Sequence, residues 1–162
     1  MIKKYTRIII FLCLSIFAFE SKAQVTVTGN ANTTPALAAT YTSLANAITA
    51  LNSITAISGP VTISLNAGNP QTAPVGGYVI NFTATTTAAR TVTLTGNNNV
   101  ITTNTALVSG VLTDAVFKII GSNFVTIQNF TMQENVLNTT SAAATNDMTE
   151  WGVALLCAST TN

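Results

Sequence analysis

The chain has 162 residues, of which 48% are hydrophobic and only 7% charged, and its formal net charge is +1. It has no histidine, which excludes Ser-His-Asp and Cys-His catalysis and the usual zinc sites. A chain with so few cations cannot neutralise many phosphates, which excludes nucleic-acid binding as well.

Residues 1–23 predict a secretory signal peptide. A basic region at residues 3–7 precedes an apolar stretch at residues 8–19, and Ala23 supplies the small residue preferred at a cleavage site. The apolar stretch is shorter than the roughly 20 residues that span a bilayer, so we expect no membrane span after cleavage. A retained N-terminal anchor is the alternative. Cleavage would leave Gln24 first and place the protein outside the cell, secreted or on its surface.

The expected mature chain is slightly acidic and carries a single cysteine. Its charged residues are Arg90, Lys118, Asp114, Glu134, Asp147 and Glu150. Cys157 has no partner for an intramolecular disulfide, and we expect it to be a small buried residue beside Leu155 and Leu156. Stability must therefore come from packing and backbone hydrogen bonds.

One amphipathic helix is predicted near the start of the mature chain. After a short strand and loop over residues 24–40, apolar residues recur with helical spacing, and Thr42 or Ser43 can cap the first turn. The expected apolar face consists of Leu44, Ala47, Ile48 and Leu51. The segment over residues 41–58 should end before Gly59, and its neutral apolar face must lie on something apolar.

Residues 59–162 predict short strands separated by Gly, Asn and Ser. Val61, Ile63 and Leu65 alternate with polar residues, which is typical of a strand with one buried face. Further strands are predicted at 78–82 and 91–94. The helix does not recur, so a βαβ fold is excluded.

Shifting the chain by 25 residues aligns two of these stretches. Val92 and Leu94 then match Phe117 and Ile119, and the alignment ends with Leu107 on Met132. The other aligned pairs are Gly96 with Gly121, Asn98 with Asn123, Val100 with Val125 and Asn104 with Asn129. A period of this length is typical of a solenoid coil of three strands. We expect the two glycines at positive-φ turns and the asparagines stacked at coil corners; ordinary turn asparagines are the alternative.

The chain resembles the pectate-lyase-like right-handed β-helix superfamily. The resemblance lies in Tyr41 to Ile48, followed by residues 59–63, which is similar to the helix and strand that open the solenoid in that superfamily. Residues 116–130 look like one coil segment, and residues 151–155 look like the start of the next. The resemblance implies an all-β, right-handed parallel β-helix with an N-terminal capping helix.

Two further features follow from the resemblance. Members usually have many more coils and a C-terminal cap, so we expect an incomplete solenoid, the N-terminal fragment of a longer protein. The predicted signal peptide joined to a Thr/Asn-rich β-helix also resembles large bacterial surface proteins that carry a C-terminal sorting domain.

Acidic residues are the only candidates for chemistry. The resemblance implies carboxylates on the solenoid face in its enzymes, and Asp114 with Glu134 could stand on adjacent coils, sharing a proton or holding calcium. Structural roles at strand ends are the alternative. Asp147, Glu150 and Trp151 could bind a cation or a sugar, although a Trp that opens a strand more often covers the core edge. We predict no catalytic residue, metal or cofactor.

Two functions therefore remain open. The first is a non-catalytic stalk or adhesin that meets an extracellular polysaccharide or another cell-surface partner. The second is the N-terminal part of a polysaccharide lyase or hydrolase whose active coils lie beyond residue 162. An immunoglobulin-like sandwich would fit the strands, but it fits neither the helix nor the aligned stretches.

Overall fold

The computed structural model describes residues 22–105, 114–142 and 145–158, so residues 1–21 of the predicted signal peptide and Leu107 lie outside the described residues. The described part of the chain is mostly β with one α-helix. The elements in chain order are β1 (Val25–Thr28), a 3-10 turn (Asn30–Asn32), β2 (Thr33–Thr34), β3 (Thr40–Tyr41), α1 (Leu44–Asn52), β4 (Ala56–Ile57), β5 (Val61–Leu65), β6 (Gln71–Thr72), β7 (Tyr78–Ile80), β8 (Val92–Thr102), β9 (Ala115–Ile120), β10 (Val125–Gln133) and β11 (Trp151–Leu156).

Helix α1 begins where its sequence predicts. The Asn46 backbone N–H donates to Ser43 Oγ over 3.2 Å, which confirms Ser43 as the N-cap. The buried face is also the predicted one, formed by Leu44, Ala47, Ile48 and Leu51. The helix has nine residues. Within the part of the chain that the structure describes, no helix is long and apolar enough to cross a membrane.

The described strands form three sheets. The first has six strands and is mixed, in the order β10-β8-β5-β1-β3, with β6 also beside β8. In it β5, β8 and β10 run parallel, whereas β1 is antiparallel to β5 and β3. The second sheet, β11-β9-β7, is parallel throughout. The third is an antiparallel β2-β4 pair. The antiparallel sheets of an immunoglobulin-like sandwich are therefore not present in the described residues.

Apolar residues lie opposite one another across the parallel strands. In the first sheet Val92 is opposite both Val61 and Val125. In the second sheet Phe117 is opposite both Tyr78 and Val153. Side chains of register partners project from the same face of a sheet, so these pairs form continuous apolar rows.

The predicted 25-residue repeat, which aligned residues 92–107 with residues 117–132, was wrong. It matched Val92 with Phe117, which lie in different sheets. Paired strands of the first sheet are offset by 31 and 33 residues at Val61, Val92 and Val125. The alignment therefore compared β8 with β9, which follow one another along the chain but lie in different sheets, rather than strands that pair with each other.

The core lies between the first and second sheets. Phe117 is fully buried and stacks on Tyr78, with ring centroids 5.1 Å apart and an interplanar angle of 27°. On its other side it meets Phe130 of β10 at 5.1 Å, with the rings tilted by 53°. Since Phe130 belongs to the first sheet and Phe117 to the second, this aromatic contact joins the two sheets.

One end of the two sheets is covered. Strand β1 pairs along the outer edge of β5, and α1 packs on β7, the edge strand of the second sheet. Asn52 in α1 completes this cover, because its Nδ2 donates to the Val79 carbonyl over 2.7 Å and its Oδ1 accepts from the Asn81 N–H over 2.9 Å. The asparagine amide thus makes two hydrogen bonds to the β7 segment that a neighbouring strand would otherwise make.

The other end of the sheets is open. Strands β10 and β11 are the edge strands there, and no described strand pairs with their outer sides. Three apolar residues of β11 are accordingly exposed, Trp151 by 54%, Val153 by 39% and Leu155 by 77%, whereas the apolar residues of β10 are half-buried against the core. The expected buried position of Cys157 was wrong, since it follows β11 at this end and is exposed.

The predicted turn residues occupy several different positions. Gly121 has φ of 65°, as expected of a turn glycine, whereas Gly96 does not have positive φ and is instead buried in β8. A Cβ at Gly96 would lie 2.3 Å from Phe130 Cδ1, so close approach explains this glycine. Asn98 and Asn129 are left-handed, with φ of 61° and 57°, in the middle of β8 and β10.

The expected asparagine pairs are not opposite one another. Asn98 lies within β8, whereas Asn123 lies between β9 and β10, where its carbonyl accepts from Thr86 Oγ1. Asn104 follows β8, and Asn129 interrupts the register of β10. Asn98 and Asn129 lie instead at one shared register shift between β8 and β10, and both have positive φ. The asparagines are thus turn residues, as the alternative interpretation held, and not the expected stacked pairs.

Candidate functional site

The candidate site is an open groove where β10 ends and β11 begins. Its volume is ≈ 180 Å³. It is lined by Thr103, Val116, Met132, Gln133, Glu134, Thr149, Glu150, Trp151 and Gly152. The structure therefore brings two of the three candidate ligand residues, Glu150 and Trp151, to one surface and adds Glu134 to them.

Glu134 holds the loop that connects β10 to β11. Its Oε1 accepts hydrogen bonds from Thr103 Oγ1, from the Asn135 N–H at 2.9 Å and from Asn138 Nδ2 at 2.6 Å. Its Oε2 accepts from the Thr149 N–H at 2.6 Å. One carboxylate thus ties both ends of the loop to the chain segment that follows β8.

These hydrogen bonds set the ionisation of Glu134. Partial burial raises the pKa of this carboxyl, but the donors from Thr103, Thr149, Asn138 and Asn135 together outweigh burial and hold the pKa below the ordinary value of 4.5. A general acid at neutral pH needs the opposite shift, and a carboxylate whose oxygens already accept four hydrogen bonds is a poor base. Glu134 therefore serves the loop and not proton transfer.

This arrangement predicts acid-sensitive anchoring of the loop. Because the pKa of Glu134 is below 4.5 in the folded state, its ionised carboxylate stabilises the fold fully above pH 4.5. This stabilisation is lost as the pH falls through the folded-state pKa. The Glu134→Gln variant should melt below the wild type at pH 6, because the amide NH₂ would face the Thr149 N–H donor. The difference in melting temperature between the two proteins should narrow towards pH 3. Thermal melts of both proteins across this range provide the measurement, and a gap that is equal at every pH would contradict the assignment.

The remaining acids of the loop have structural partners. Asp147 Oδ1 accepts from the Thr140 N–H over 2.7 Å, and the Asp147 N–H donates to the Thr140 carbonyl over 3.0 Å, which closes the loop on itself. Glu150 Oε1 accepts from Asn146 Nδ2. Asp147 is therefore a loop-closing residue and does not line the groove.

The structure does not bring Asp114 into the groove that Glu134 lines. Asp114 is 3% exposed and is not among the residues that line the groove. Its carbonyl accepts the Trp151 N–H over 3.1 Å, where β9 and β11 begin side by side. Among the described residues no group of three or more His, Cys, Asp or Glu could hold a metal ion.

Comparisons with protein-family models, with curated proteins and with solved structures find no match to this chain.

Two buried oxygens in the groove have no hydrogen-bond partner among the described residues, Thr149 Oγ1 and Glu150 Oε2. They lie just before Trp151, which is half exposed and paired in register with Ala115. By this register Trp151 belongs to the same sheet face as Phe117, two residues after Ala115, and Phe117 is part of the core. The groove therefore lies at the open end of the sheets, beside core-facing positions that are exposed there, and polar groups form its rim.

A second cavity of ≈ 230 Å³ lies between α1 and β7. Its lining includes Ile48, Thr49, Pro74, Tyr78 and Val79 and contains no charged residue. Burial raises the pKa of Tyr78 to about 12, so its hydroxyl stays protonated at neutral pH. This cavity offers packing surface and no acid, base or nucleophile for catalysis.

Sequence reasoning named Asn104 as a ladder residue but gave it the wrong partner, and it missed Asn138. Asn104 Nδ2 donates to the Ala73 carbonyl over 3.1 Å, and Asn138 Nδ2 donates to the Asn104 carbonyl over 3.0 Å. The two bonds span 31 and 34 residues, close to the offset between paired strands. A search at that offset could have found them, although an Asn-rich composition gives many such coincidences.

Proposed function

We propose that this chain is the closed N-terminal end of a non-catalytic, extracellular right-handed parallel β-helix that serves as a stalk or adhesin. The observation that carries the proposal is the register of the parallel strands. Three successive layers stack in each of two sheets, with Val61, Val92 and Val125 in one row and Tyr78, Phe117 and Val153 in another. Stacked layers of this kind are what a solenoid consists of.

The strand connections support the same architecture. The chain forms a strand of the first sheet, then a strand of the second, and then returns to the first sheet one layer further along. The successive pairs of strands are β5-β7, β8-β9 and β10-β11. Each return joins parallel neighbours of one sheet, and such crossovers are right-handed in nearly all proteins. The resemblance to pectate-lyase-like proteins agrees with this path, and the cover formed by β1 and α1 suits the first coil of such a helix.

A mechanical or adhesive role is favoured over catalysis. The groove acid Glu134 is held ionised by its hydrogen bonds, and Asp147 closes its own loop. Outward strand positions such as Thr62, Ser64 and Thr93 are neutral and hydroxyl-bearing, which gives a soluble surface without charge. Such a rod would hold other segments away from the cell and present loops to polysaccharide or to another cell.

The first test asks whether this chain itself cleaves polysaccharide. Purified residues 24–162 incubated with pectin-type polysaccharides should release neither unsaturated nor reducing sugar, with a known polysaccharide lyase as the positive control. Protease treatment of intact cells should remove the protein from the cell surface. Sugar release, or protection of the protein inside intact cells, would overturn the proposal.

A further inference from the structure

Residues 135–138 form a turn that presents two apolar side chains to solvent. Val136 is 86% exposed and Leu137 is 72% exposed, and they are neighbours in the chain. We name residues 135–138 the apolar turn, and we name the cavity between α1 and β7 the helix cavity. We propose that the apolar turn of one copy of this chain inserts into the helix cavity of a second copy.

Hydrogen bonds hold the apolar turn in place from both ends. The Leu137 N–H donates to Asn135 Oδ1 over 3.1 Å, and the Asn138 N–H donates to the Asn135 carbonyl over 2.9 Å. Asn135 Nδ2 also donates to the Thr103 carbonyl over 3.2 Å. Asn138 Nδ2 donates to the Asn104 carbonyl over 3.0 Å. The turn is thus fixed to the chain segment that follows β8, so its burial in a partner costs little conformational entropy.

The helix cavity has the size to receive these side chains. Its volume is ≈ 230 Å³, and a cavity of about 150 Å³ already holds a benzene molecule. Ile48 and Tyr78 line its buried part, and it reaches the surface at Thr49, which is exposed. Pockets for drug-sized ligands start at about 300 Å³. The helix cavity therefore suits one or two aliphatic side chains better than a large ligand.

Apolar exposure continues from the helix cavity onto the surface beside it. Pro74 lines the cavity, and Val75, the next residue, is 64% exposed. Exposed apolar surface of this kind is typical of interaction sites when it is contiguous. A turn with two adjacent apolar side chains can fill the cavity with one of them and cover Val75 with the other.

The contact would bury no unpaired charge. Helix α1 (LANAITALN), residues 71–82 and residues 135–138 contain no charged residue. Glu134, which precedes the turn, already accepts hydrogen bonds from four donors and needs no further partner. The cost of burying charge, which is large in apolar interfaces, is therefore absent. A partner that docks through acidic or basic residues would find no opposite charge on either surface.

The contact joins two different surfaces and is therefore heterologous. Val136 and Leu137 are exposed and do not line the helix cavity of their own chain. A second copy offers each surface the one that it lacks. Such contacts build rings or open filaments rather than closed two-fold dimers. The buried area is small, so we expect a weak contact that forms where many copies are close together, as on a cell surface.

The test mixes two variants that each lack one half of the contact. The first carries Val136→Ser and Leu137→Ser, and the second carries Thr49→Arg, which places a charged side chain at the helix cavity. In sedimentation velocity, purified residues 24–162 should associate as the concentration rises, and each variant alone should associate at least about tenfold more weakly. The equimolar mixture should form a one-to-one complex that grows no further, because it retains one intact turn and one intact cavity.

Two controls make comparable changes elsewhere. Leu155→Ser removes a leucine that is 77% exposed, and Asn46→Arg adds the same charge to an exposed position of α1 that does not line the cavity. Both should associate as the unchanged chain does. A loss of association in either control as large as in its counterpart would overturn the inference. So would an equimolar mixture of the two test variants that stays monomeric.

The unchanged chain supplies the remaining outcomes. If it stays monomeric at every soluble concentration, the inference is wrong. If it also sediments with phosphatidylcholine vesicles, and Val136→Ser with Leu137→Ser abolishes this binding, a lipid surface is the partner of the apolar turn instead. Release of sugar from polysaccharide would refute the proposed function and leave this contact intact, so the two proposals fail separately.

Discussion

Replacement of Gly77 by alanine should destabilise the protein by more than about 3 kcal/mol, because a side chain at this position would collide with the backbone of the next layer. A Cβ at Gly77 would lie 2.0 Å from the Ala115 carbonyl oxygen and 3.0 Å from that of Val116. Neither carbonyl can move without separating β7 from β9. Gly77 also has φ of 81°, which adds the cost of a left-handed alanine.

The preceding residue offers a matched control. Gly76 has nearly the same backbone conformation, with φ of 79°, but a Cβ there would have no heavy atom within 4 Å. Gly76→Ala should therefore cost only the roughly 1–2 kcal/mol of left-handed strain. Chemical denaturation of both variants measures the difference. Equal losses of unfolding free energy would show that β7 and β9 do not approach as closely as described.

Replacement of Asn52 by alanine should destabilise the protein by about 2–4 kcal/mol, since it leaves two backbone groups of the β7 segment without partners. The Val79 carbonyl and the Asn81 N–H both bond to the Asn52 amide, at 2.7 and 2.9 Å. Removal of the side chain also opens the edge of β7 to other strands. We therefore expect increased self-association as well as a lower denaturation midpoint.

Asn46 is the control for this prediction because it is the same residue type in the same helix. Its Nδ2 donates only to the exposed Thr42 Oγ1. Asn46→Ala should be neutral or slightly stabilising, since alanine has the higher helix propensity. If both substitutions had the same effect on the unfolding free energy, the strand-like role of Asn52 would be excluded.

The local elements could be predicted from sequence better than their arrangement. Periodicity located α1 and its buried face at Leu44, Ala47, Ile48 and Leu51, and alternation located β5, because these patterns depend only on which side of a short segment is apolar. The offset between stacked strands could not be obtained in this way. It depends on the lengths of the links between strands, which range from the short corner before β10 to the long loop that precedes Trp151.

The contacts that hold the candidate site together were also beyond sequence reasoning. The sequence suggested either a carboxylate pair with Asp114 or a structural role at a strand end for Glu134. Its carboxylate instead accepts hydrogen bonds from Thr103, Asn138 and Thr149, and no sequence motif marks these donors. Cys157 was expected in the core because its neighbours Leu155 and Leu156 are apolar. The open end of the sheets exposes it, and an edge of this kind leaves no signature in composition.

The central claim, that the chain turns form stacked layers of a β-helix, is tested most directly by cross-strand NOEs in a solution NMR spectrum. Stacked parallel strands should give contacts from Thr93 to both Thr62 and Thr126, and from Lys118 to both Val79 and Ala154. Backbone pairing of Val92 with Phe117, or an antiparallel pattern between β8 and β10, would contradict it.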